Sequence, residues 1–149
     1  MLEDKIYQDY VEALKSRNKS KSEFLSFIRS ELKNEAINLK VEKLDDSQAL
    51  IILKKQQKRL LDTKEAIVSS QRNDLLQNIE QESNILNQYL PKPLKDAELL
   101  QIVEEVISKT KASSMRDMGR VMKEVLTRVG IKADSKNVSS LVKEKLSSL

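Results

Sequence analysis

The segment YLPKPL, residues Tyr89–Leu94, decides how this chain is organised. Pro91 and Pro93 donate no backbone hydrogen bonds, and each disfavours helical geometry in the residue before it. Apolar residues follow a helical spacing up to this segment and again after it. We therefore predict two helical pieces, an N-terminal domain over residues 1–90 and a C-terminal domain over residues 91–149.

Before the prolines, four stretches place apolar residues at helical spacing, one or two turns apart, which predicts a bundle of about four helices. These stripes are Leu2/Ile6/Tyr10/Ala13/Leu14, Phe24/Ile28/Leu32/Ala36/Leu39, Leu50/Ile52/Leu53/Leu60/Ile67 and Leu75/Ile79/Ile85/Leu86/Tyr89. Ser20 with Glu23, and Asp45 with Gln48, have the spacing of helix-capping pairs. The fourth stretch also carries an outward face of uncharged amides, namely Gln77, Gln81, Asn84 and Gln88.

After the prolines, three shorter apolar stripes predict a small three-helix domain. They are Leu99/Val103/Val106, Met115/Met118/Met122/Val125 and Val138/Val142/Leu146. Ser114 with Asp117 is a candidate cap for the second helix, and Asp134 or Ser135 for the third. Only two glycines and two prolines occur in the chain, which suits long helices better than a sheet with many tight turns. The predicted fold class is all-α.

The composition removes most routes to catalysis. There is no cysteine and no histidine, so thiolate chemistry and the commonest general base and metal ligand are missing. Gly119 and Gly130 are the only glycines, which excludes a glycine-rich phosphate loop. The acid pairs Asp45–Asp46 and Glu104–Glu105, and the Ser139–Lys143 pair, fit caps or solvated helix faces better than an active site. We expect no catalytic residues, no metal site and no cofactor.

The sequence also predicts a cytoplasmic protein. Charged side chains already occupy residues 1–10, which do not resemble a signal peptide. No apolar run has the length of a membrane span. We therefore expect no membrane partner.

Positive charge is concentrated after the prolines. Residues 1–90 carry 15 Lys/Arg and 15 Asp/Glu, whereas residues 91–149 carry 12 Lys/Arg and 8 Asp/Glu. Arg116, Arg120 and Lys123 are spaced to share one helix face, and guanidinium groups suit phosphate. Such a face often only solubilises a helix, but its position in the basic piece favours a polyanion ligand. The candidate nucleic-acid contacts are Arg116, Arg120, Lys123, Arg128, Lys132 and Lys136.

The placement of aromatic residues restricts how RNA would be held. All five of them precede Pro91, so the basic piece has no ring on which an unpaired base can stack. Contacts to backbone phosphates and to the shape of a folded RNA remain.

Gly119 lies between two of the candidate arginines, inside a predicted helix, where glycine costs about 1 kcal/mol relative to alanine. A glycine retained at that cost indicates close approach of another backbone. A neighbouring helix is the favoured occupant, and a ligand is the alternative.

Several stretches together resemble the GatB/YqeY family of YqeY-like proteins. The resemblance is carried by Tyr89–Leu94 with Ala97–Leu99, by Ala112–Met122 (ASSMRDMGRVM), and by Ala133–Asp134 with Val138–Leu146 (VSSLVKEKL). Similar residues also occur at Ala13–Arg17, Leu44–Asp46 and Asp74–Leu75. The resemblance spans essentially the whole chain and is most specific in Ala112–Met122. The chain departs from the family pattern at Lys95, where serine is frequent, and at Ser135, where glycine is common.

The resemblance implies an all-helical protein related to tRNA amidation. The C-terminal piece is similar to the tail domain of GatB, a component of the glutamine-dependent aspartyl/glutamyl-tRNA amidotransferase. That tail helps to hold tRNA while amide transfer takes place elsewhere, so no catalytic centre is carried over. The expected partners are tRNA or another folded RNA, and amidotransferase subunits.

Three functions stay open at this point. The first is a non-catalytic tRNA-associated protein that contacts the RNA backbone through its basic C-terminal helices. The second is a protein–protein adaptor for an amidotransferase or another assembly, using the amide-rich fourth helix and the methionine stripe. The third is a carbon–nitrogen ligase with glutamine as amido donor, which the family label suggests although a nucleotide loop and an activated nucleophile are missing.

Overall fold

The computed structural model describes all residues, 1–149, and consists of helices without strands, which confirms the predicted fold class. The chain divides into two compact units, Met1–Leu90 and Pro91–Leu149. The first holds α1 (Leu2–Lys15), α2 (Lys19–Asn38), α3 (Asp46–Ser70) and α4 (Asn73–Asn87). The second holds α5 (Asp96–Thr110), α6 (Met118–Val129) and α7 (Ser135–Ser147), with 3₁₀ turns at Met115–Asp117 and Gly130–Lys132. Not one of these helices combines the length and the apolar character required to cross a bilayer.

The four helices of the N-terminal unit enclose one hydrophobic core, in which α1 packs mainly against α2 and α3 mainly against α4. The core residues are Ile6, Phe24, Leu25, Ile28, Leu32, Ala36, Leu44, Ala49, Leu53, Leu86 and Tyr89. The Tyr89 hydroxyl donates a hydrogen bond to the Asp9 carboxylate, which ties the chain after α4 to α1. Burial, together with the bonded Asp9, raises the pKa of the Tyr89 phenol, so the hydroxyl stays protonated as a donor.

The starts of α2 and α3 follow capping chemistry, but one predicted cap is wrong. Asp45 accepts a hydrogen bond from the Gln48 amide nitrogen at 2.8 Å, and the Gln48 side chain accepts one from the Asp45 amide at 3.0 Å. This reciprocal pair confirms the predicted cap of α3. In α2 the cap is Asn18, whose side chain accepts from the Lys21 amide at 3.3 Å. Ser20 lies within the first turn instead, because asparagine caps a helix as well as serine does and stands two residues earlier.

Four helices are followed by a residue other than glycine with positive φ. Arg17, Lys40, Gln71 and Lys111 follow α1, α2, α3 and α5 with φ between 55° and 59°. This left-handed conformation is the usual place for glycine at a helix end, and it costs other residues about 1 kcal/mol each. Gly130, which follows α6 with φ of 54° and ψ of −128°, is the only glycine with positive φ, and it adopts a conformation outside the left-handed helical region. The scarcity of glycine is therefore accommodated by strained helix ends.

The three helices of the C-terminal unit pack around a core of their own, built mainly from valine. Its residues are Leu99, Val103, Val106, Val121, Val125, Val129, Val138, Val142 and Leu146. The predicted methionine stripe of α6 is partly wrong, since Met118 and Met122 are only half-buried and Met115 is 40% exposed. Met115 lies in a 3₁₀ turn with about three residues per turn, which moves it out of the register of α6.

Candidate nucleic-acid interface

The turn before α6 is built around the carboxylate of Asp117. This carboxylate accepts hydrogen bonds from the Ser113 amide at 2.9 Å and the Ser114 amide at 3.4 Å. The Ser114 hydroxyl accepts one from the Arg116 amide at 3.3 Å, which confirms the predicted Ser114–Asp117 cap, although on a 3₁₀ turn. The amide of Ser113, then that of Ser114 and the nearby Arg120, hold the pKa of Asp117 below its ordinary value. The charged carboxylate thereby fixes the turn that presents Arg116.

The three basic residues predicted to share one face are all exposed. Arg120 and Lys123 lie on α6 itself, and Arg116 precedes them in the 3₁₀ turn. The Arg120 guanidinium lies 2.9 Å from the Asp117 carboxylate, whereas neither Arg116 nor Lys123 has an ion-pair partner. Arg116 and Lys123 are therefore the cations of this group whose charges are available to a ligand.

Arg128 forms an ion pair that joins α6 to α5 within the unit. Its guanidinium lies 3.2 Å from the Glu105 carboxylate of α5. The adjacent Glu104 pairs instead with Lys145 of α7, at 3.0 Å. The two glutamates thus neutralise cations on different helices, as expected of solvated faces and unlike a converging acid pair. Arg128, predicted as a nucleic-acid contact, already has its charge balanced within the unit.

Lys132 and Lys136 are exposed and have no ion-pair partner. Lys132 lies in the second 3₁₀ turn, where its carbonyl accepts a hydrogen bond from the Leu94 amide at 2.9 Å. Lys136 lies in the first turn of α7, which begins at the cap Asp134. The Asp134 side chain accepts from the Lys136 amide at 3.2 Å, so Asp134 rather than Ser135 is the cap.

Lys143 of α7 is a further cation, which the sequence analysis considered only as part of a Ser139–Lys143 pair and not as a nucleic-acid contact. It follows Lys136 by seven residues, a spacing that returns to the same side of a helix. One turn further, the Ser147 hydroxyl lies 3.6 Å from the sulfur of Met115, so this side of α7 adjoins the turn that carries Arg116. Lys143 is exposed and unpaired, and the seven-residue spacing is the signal that could have found it. We refer to five exposed, unpaired cations of the 3₁₀ turns, α6 and α7 as a group, the C-terminal basic surface: Arg116, Lys123, Lys132, Lys136 and Lys143.

Gly119 does not serve helix packing. A Cβ atom added to this exposed residue has no neighbour within 4 Å, so the favoured prediction of a closely packed helix is wrong. The open space lies beside exposed Arg120, one residue further along α6. Close approach of a ligand, the alternative, stays a prediction.

The N-terminal unit carries a separate groove of about 460 Å³ between α2, α3 and α4. Phe24 and Leu60 supply apolar lining, and Phe27, 43% exposed, also lines it. Gln81, one of the amides predicted on the outward face of α4, contributes to the same lining. Burial raises the pKa of the Glu82 carboxyl, which also lines the groove. Sequence periodicity did not predict this groove because it depends on three helices coming together.

The structure defines an all-α protein with two helical units and a set of exposed, unpaired cations on the second unit. No group of three or more carboxylates is placed to hold a metal ion. The family model described as Yqey-like protein matches residues 3–146, so the chain belongs to the Yqey-like protein family. No curated protein matches the chain significantly. The similarity of the C-terminal unit to the amidotransferase tail stays a prediction.

Proposed function

We propose that this protein is a non-catalytic, tRNA-associated protein that contacts the RNA backbone through the C-terminal basic surface. One observation carries the proposal: eight exposed cations of this unit, among them the five of the C-terminal basic surface, have no carboxylate partner, and only four cations do, namely Lys109, Arg120, Arg128 and Lys145. Unpaired ammonium and guanidinium groups release condensed counterions when they bind phosphates, which drives association. The choice of tRNA among folded RNAs comes from the resemblance to the amidotransferase tail.

The mode of binding follows from the side chains present. The unit has no aromatic residue, so stacking of unpaired bases contributes nothing. Phosphate contacts position a protein on RNA without reading its sequence. We therefore expect binding to folded RNA with weak sequence preference and steep salt dependence. Each phosphate contact should contribute about 0.7–0.9 to the slope with which log affinity falls against log salt concentration.

The test is fluorescence anisotropy of labelled tRNA across a salt series. Wild type is compared with the full-length variant Arg116→Gln/Lys123→Gln/Lys136→Gln. We expect this variant to bind about tenfold more weakly at low salt and to show a flatter dependence of log affinity on log salt concentration. Unchanged circular dichroism establishes that the variant is folded.

A matched control removes the same number of charges elsewhere in the same unit. Lys92→Gln/Lys95→Gln/Lys111→Gln changes exposed cations outside the C-terminal basic surface. This control is expected to bind nearly as wild type. Equal loss in both variants, or no binding by wild type at low salt, contradicts the proposal.

The groove of the N-terminal unit favours a second candidate function, that of a protein–protein adaptor for an amidotransferase or another assembly. Exposed Phe27 beside the Gln81 amide gives an apolar contact with a polar rim, as protein interfaces have. The methionine stripe offers less than predicted, because Met118 and Met122 pack against the core of their unit. Adaptor binding to purified amidotransferase subunits is expected to survive moderate salt and to weaken in Phe27→Ser.

Catalysis by the isolated chain is the remaining family suggestion. A carbon–nitrogen ligase with glutamine as amido donor needs an activated nucleophile, and we propose none here. Release of ammonia from glutamine by the purified protein, above that of a mock purification, is the measurement that contradicts this view.

A further inference from the structure

α3 carries a run of positive charge that the charge balance of its unit conceals. Between Ser47 and Leu61 the helix has four basic residues and no acidic one. They are Lys54, Lys55, Lys58 and Arg59. Since the N-terminal unit as a whole has equal numbers of acidic and basic residues, this excess is local to one part of one helix.

None of these four cations forms an ion pair within the protein, although Arg59 lines the groove to which Glu23 and Glu82 also contribute. All seven ion pairs of the structure involve other residues. The next cation along the same helix, Lys64, pairs with Glu80 of α4 at 3.7 Å. Lys55, Lys58 and Arg59 are exposed, and Lys54 is half-buried. The change from unpaired to paired cations thus occurs within two turns of α3.

The spacing of the four cations works against helix stability. Lys54 and Lys58 are four residues apart, as are Lys55 and Arg59, so like charges lie about 6 Å apart along the helix axis. Like-charge pairs at this spacing destabilise a helix. Asp62 lies four residues after Lys58 and three after Arg59, whereas Lys54 and Lys55 have no carboxylate three or four residues away. Buried Leu53 anchors the helix through its opposite side. Charges kept at a cost to the fold indicate an anionic partner outside it.

The surroundings of the run favour a nucleic-acid backbone over an anionic lipid surface. Ile51 and Leu61 flank it and are 56% and 49% exposed. They lie ten residues apart, about 15 Å along the axis, with the cations between them. Helices that lie in a membrane interface present a continuous apolar face beside the basic one, which this arrangement does not supply.

We propose that Lys54, Lys55, Lys58 and Arg59 form a second contact surface for the RNA backbone, on α3 of the N-terminal unit. This inference rests on the proposed function for its ligand, but it uses a different unit and different residues. Each phosphate bound here adds to the salt dependence of the whole protein. RNA binding by this family member is then a property of both units.

The experiment uses the full chain and the tRNA anisotropy assay. The variant Lys54→Gln/Lys55→Gln/Lys58→Gln is expected to bind tRNA about tenfold more weakly. The slope of its log affinity against log salt concentration should decrease by about 0.7–0.9 for each phosphate that is no longer bound. The arginine variant Lys54→Arg/Lys55→Arg/Lys58→Arg keeps the charges and is expected to bind as wild type. Because the glutamine variant relieves like-charge repulsion, its melting temperature should equal or exceed that of wild type.

The matched control is Lys15→Gln/Lys33→Gln/Lys40→Gln, which removes three exposed, unpaired lysines from the same unit. Equal weakening in this control means that net charge alone is responsible and overturns the inference. Weaker binding by the Arg116/Lys123/Lys136 variant with no change in the α3 variant also overturns it, and leaves the proposed function standing. Weaker binding by the α3 variant alone supports the inference and overturns the C-terminal surface. No RNA binding by wild type overturns both.

A second experiment, with lipid vesicles, tests whether anionic lipid headgroups and not RNA phosphates bind to α3. Wild type and the α3 glutamine variant are sedimented with vesicles of phosphatidylserine and phosphatidylcholine. Vesicle binding that the glutamine substitutions abolish, with tRNA binding unchanged, assigns the surface to lipid and overturns the inference. Vesicle binding that is absent or equal in both proteins, with reduced tRNA binding in the variant, supports it.

Discussion

A cation on a helix surface can neutralise a carboxylate of its own chain or a phosphate of a ligand. Arg128 faces Glu105 at 3.2 Å and takes the first role, whereas Arg116 has no carboxylate partner and is suited to the second. Exposed ion pairs contribute only about 0–1 kcal/mol to stability, so Arg128 is not locked, but a phosphate must compete for it. At the residue scale, the six predicted contacts are therefore unequal, and the unpaired ones should contribute most.

Gly119 allows a direct test of the remaining explanation for a glycine in α6. It lies in open space and its φ is compatible with other residues, so Gly119→Ala should stabilise the protein by about 0.5–1 kcal/mol. Thermal unfolding measures this change. If a ligand backbone approaches here, the same variant should bind tRNA more weakly despite its higher stability. A variant that is less stable than wild type contradicts the open surroundings of Gly119.

Asp117 makes the turn before α6 sensitive to acid. Its pKa is lowered first by the Ser113 amide, so its stabilising contribution is fully present above the ordinary aspartate pKa. That contribution is lost as the pH falls from the ordinary value through the lower folded value. Asp117→Asn should therefore lower the melting temperature by a few degrees at neutral pH, with a shrinking difference from wild type in acid. A difference that stays constant below the ordinary pKa contradicts this role.

At the scale of elements, α6 depends on valines and not on the methionines that its sequence pattern favours. Val125 is fully buried, so Val125→Ala leaves a cavity and should destabilise the C-terminal unit by about 2 kcal/mol. Met115 is 40% exposed, and Met115→Ala should change stability by no more than about 0.5 kcal/mol. Chemical denaturation of the two variants measures both values. A larger decrease in stability at Met115 than at Val125 restores the methionine stripe as the core face.

The error in α6 shows what sequence periodicity supplies and what it lacks. Spacing at three and four residues located all seven helices, because each buries one apolar face. It did not reveal the 3₁₀ turn that displaces Met115, because the predicted Ser114–Asp117 cap fits the start of an α-helix as well as that of a 3₁₀ turn. The sequence pattern could not predict the ion pairs either, because Glu105 and Arg128 lie 23 residues apart and come together only when α5 packs against α6. The candidate site was thus predictable by residue type, but not by which charges remain free.

At the scale of the whole molecule, each of the two units contains a hydrophobic core of its own. The N-terminal core contains only residues up to Tyr89, and the C-terminal core begins at Leu99. The Leu94 amide donates to the Lys132 carbonyl at 2.9 Å, so the chain just after the prolines is bound within the C-terminal unit. If RNA binds as we propose, the basic surfaces of the two units can therefore be altered separately.

The prolines at the joint lead to the prediction that residues 91–149 fold when produced alone. A chain of this size buries about 60% of its unfolded surface, and its core supplies at most about 3–5 kcal/mol of stability. The fragment should show the far-ultraviolet circular dichroism of an α-helical protein and a cooperative thermal transition. Val125→Ala removes about 2 kcal/mol of stability, which is a large share of what the fragment has. The midpoint of its thermal transition should therefore move to a clearly lower temperature. A fragment without helical signal, or one that Val125→Ala leaves unchanged, contradicts a valine core that holds this unit together unaided.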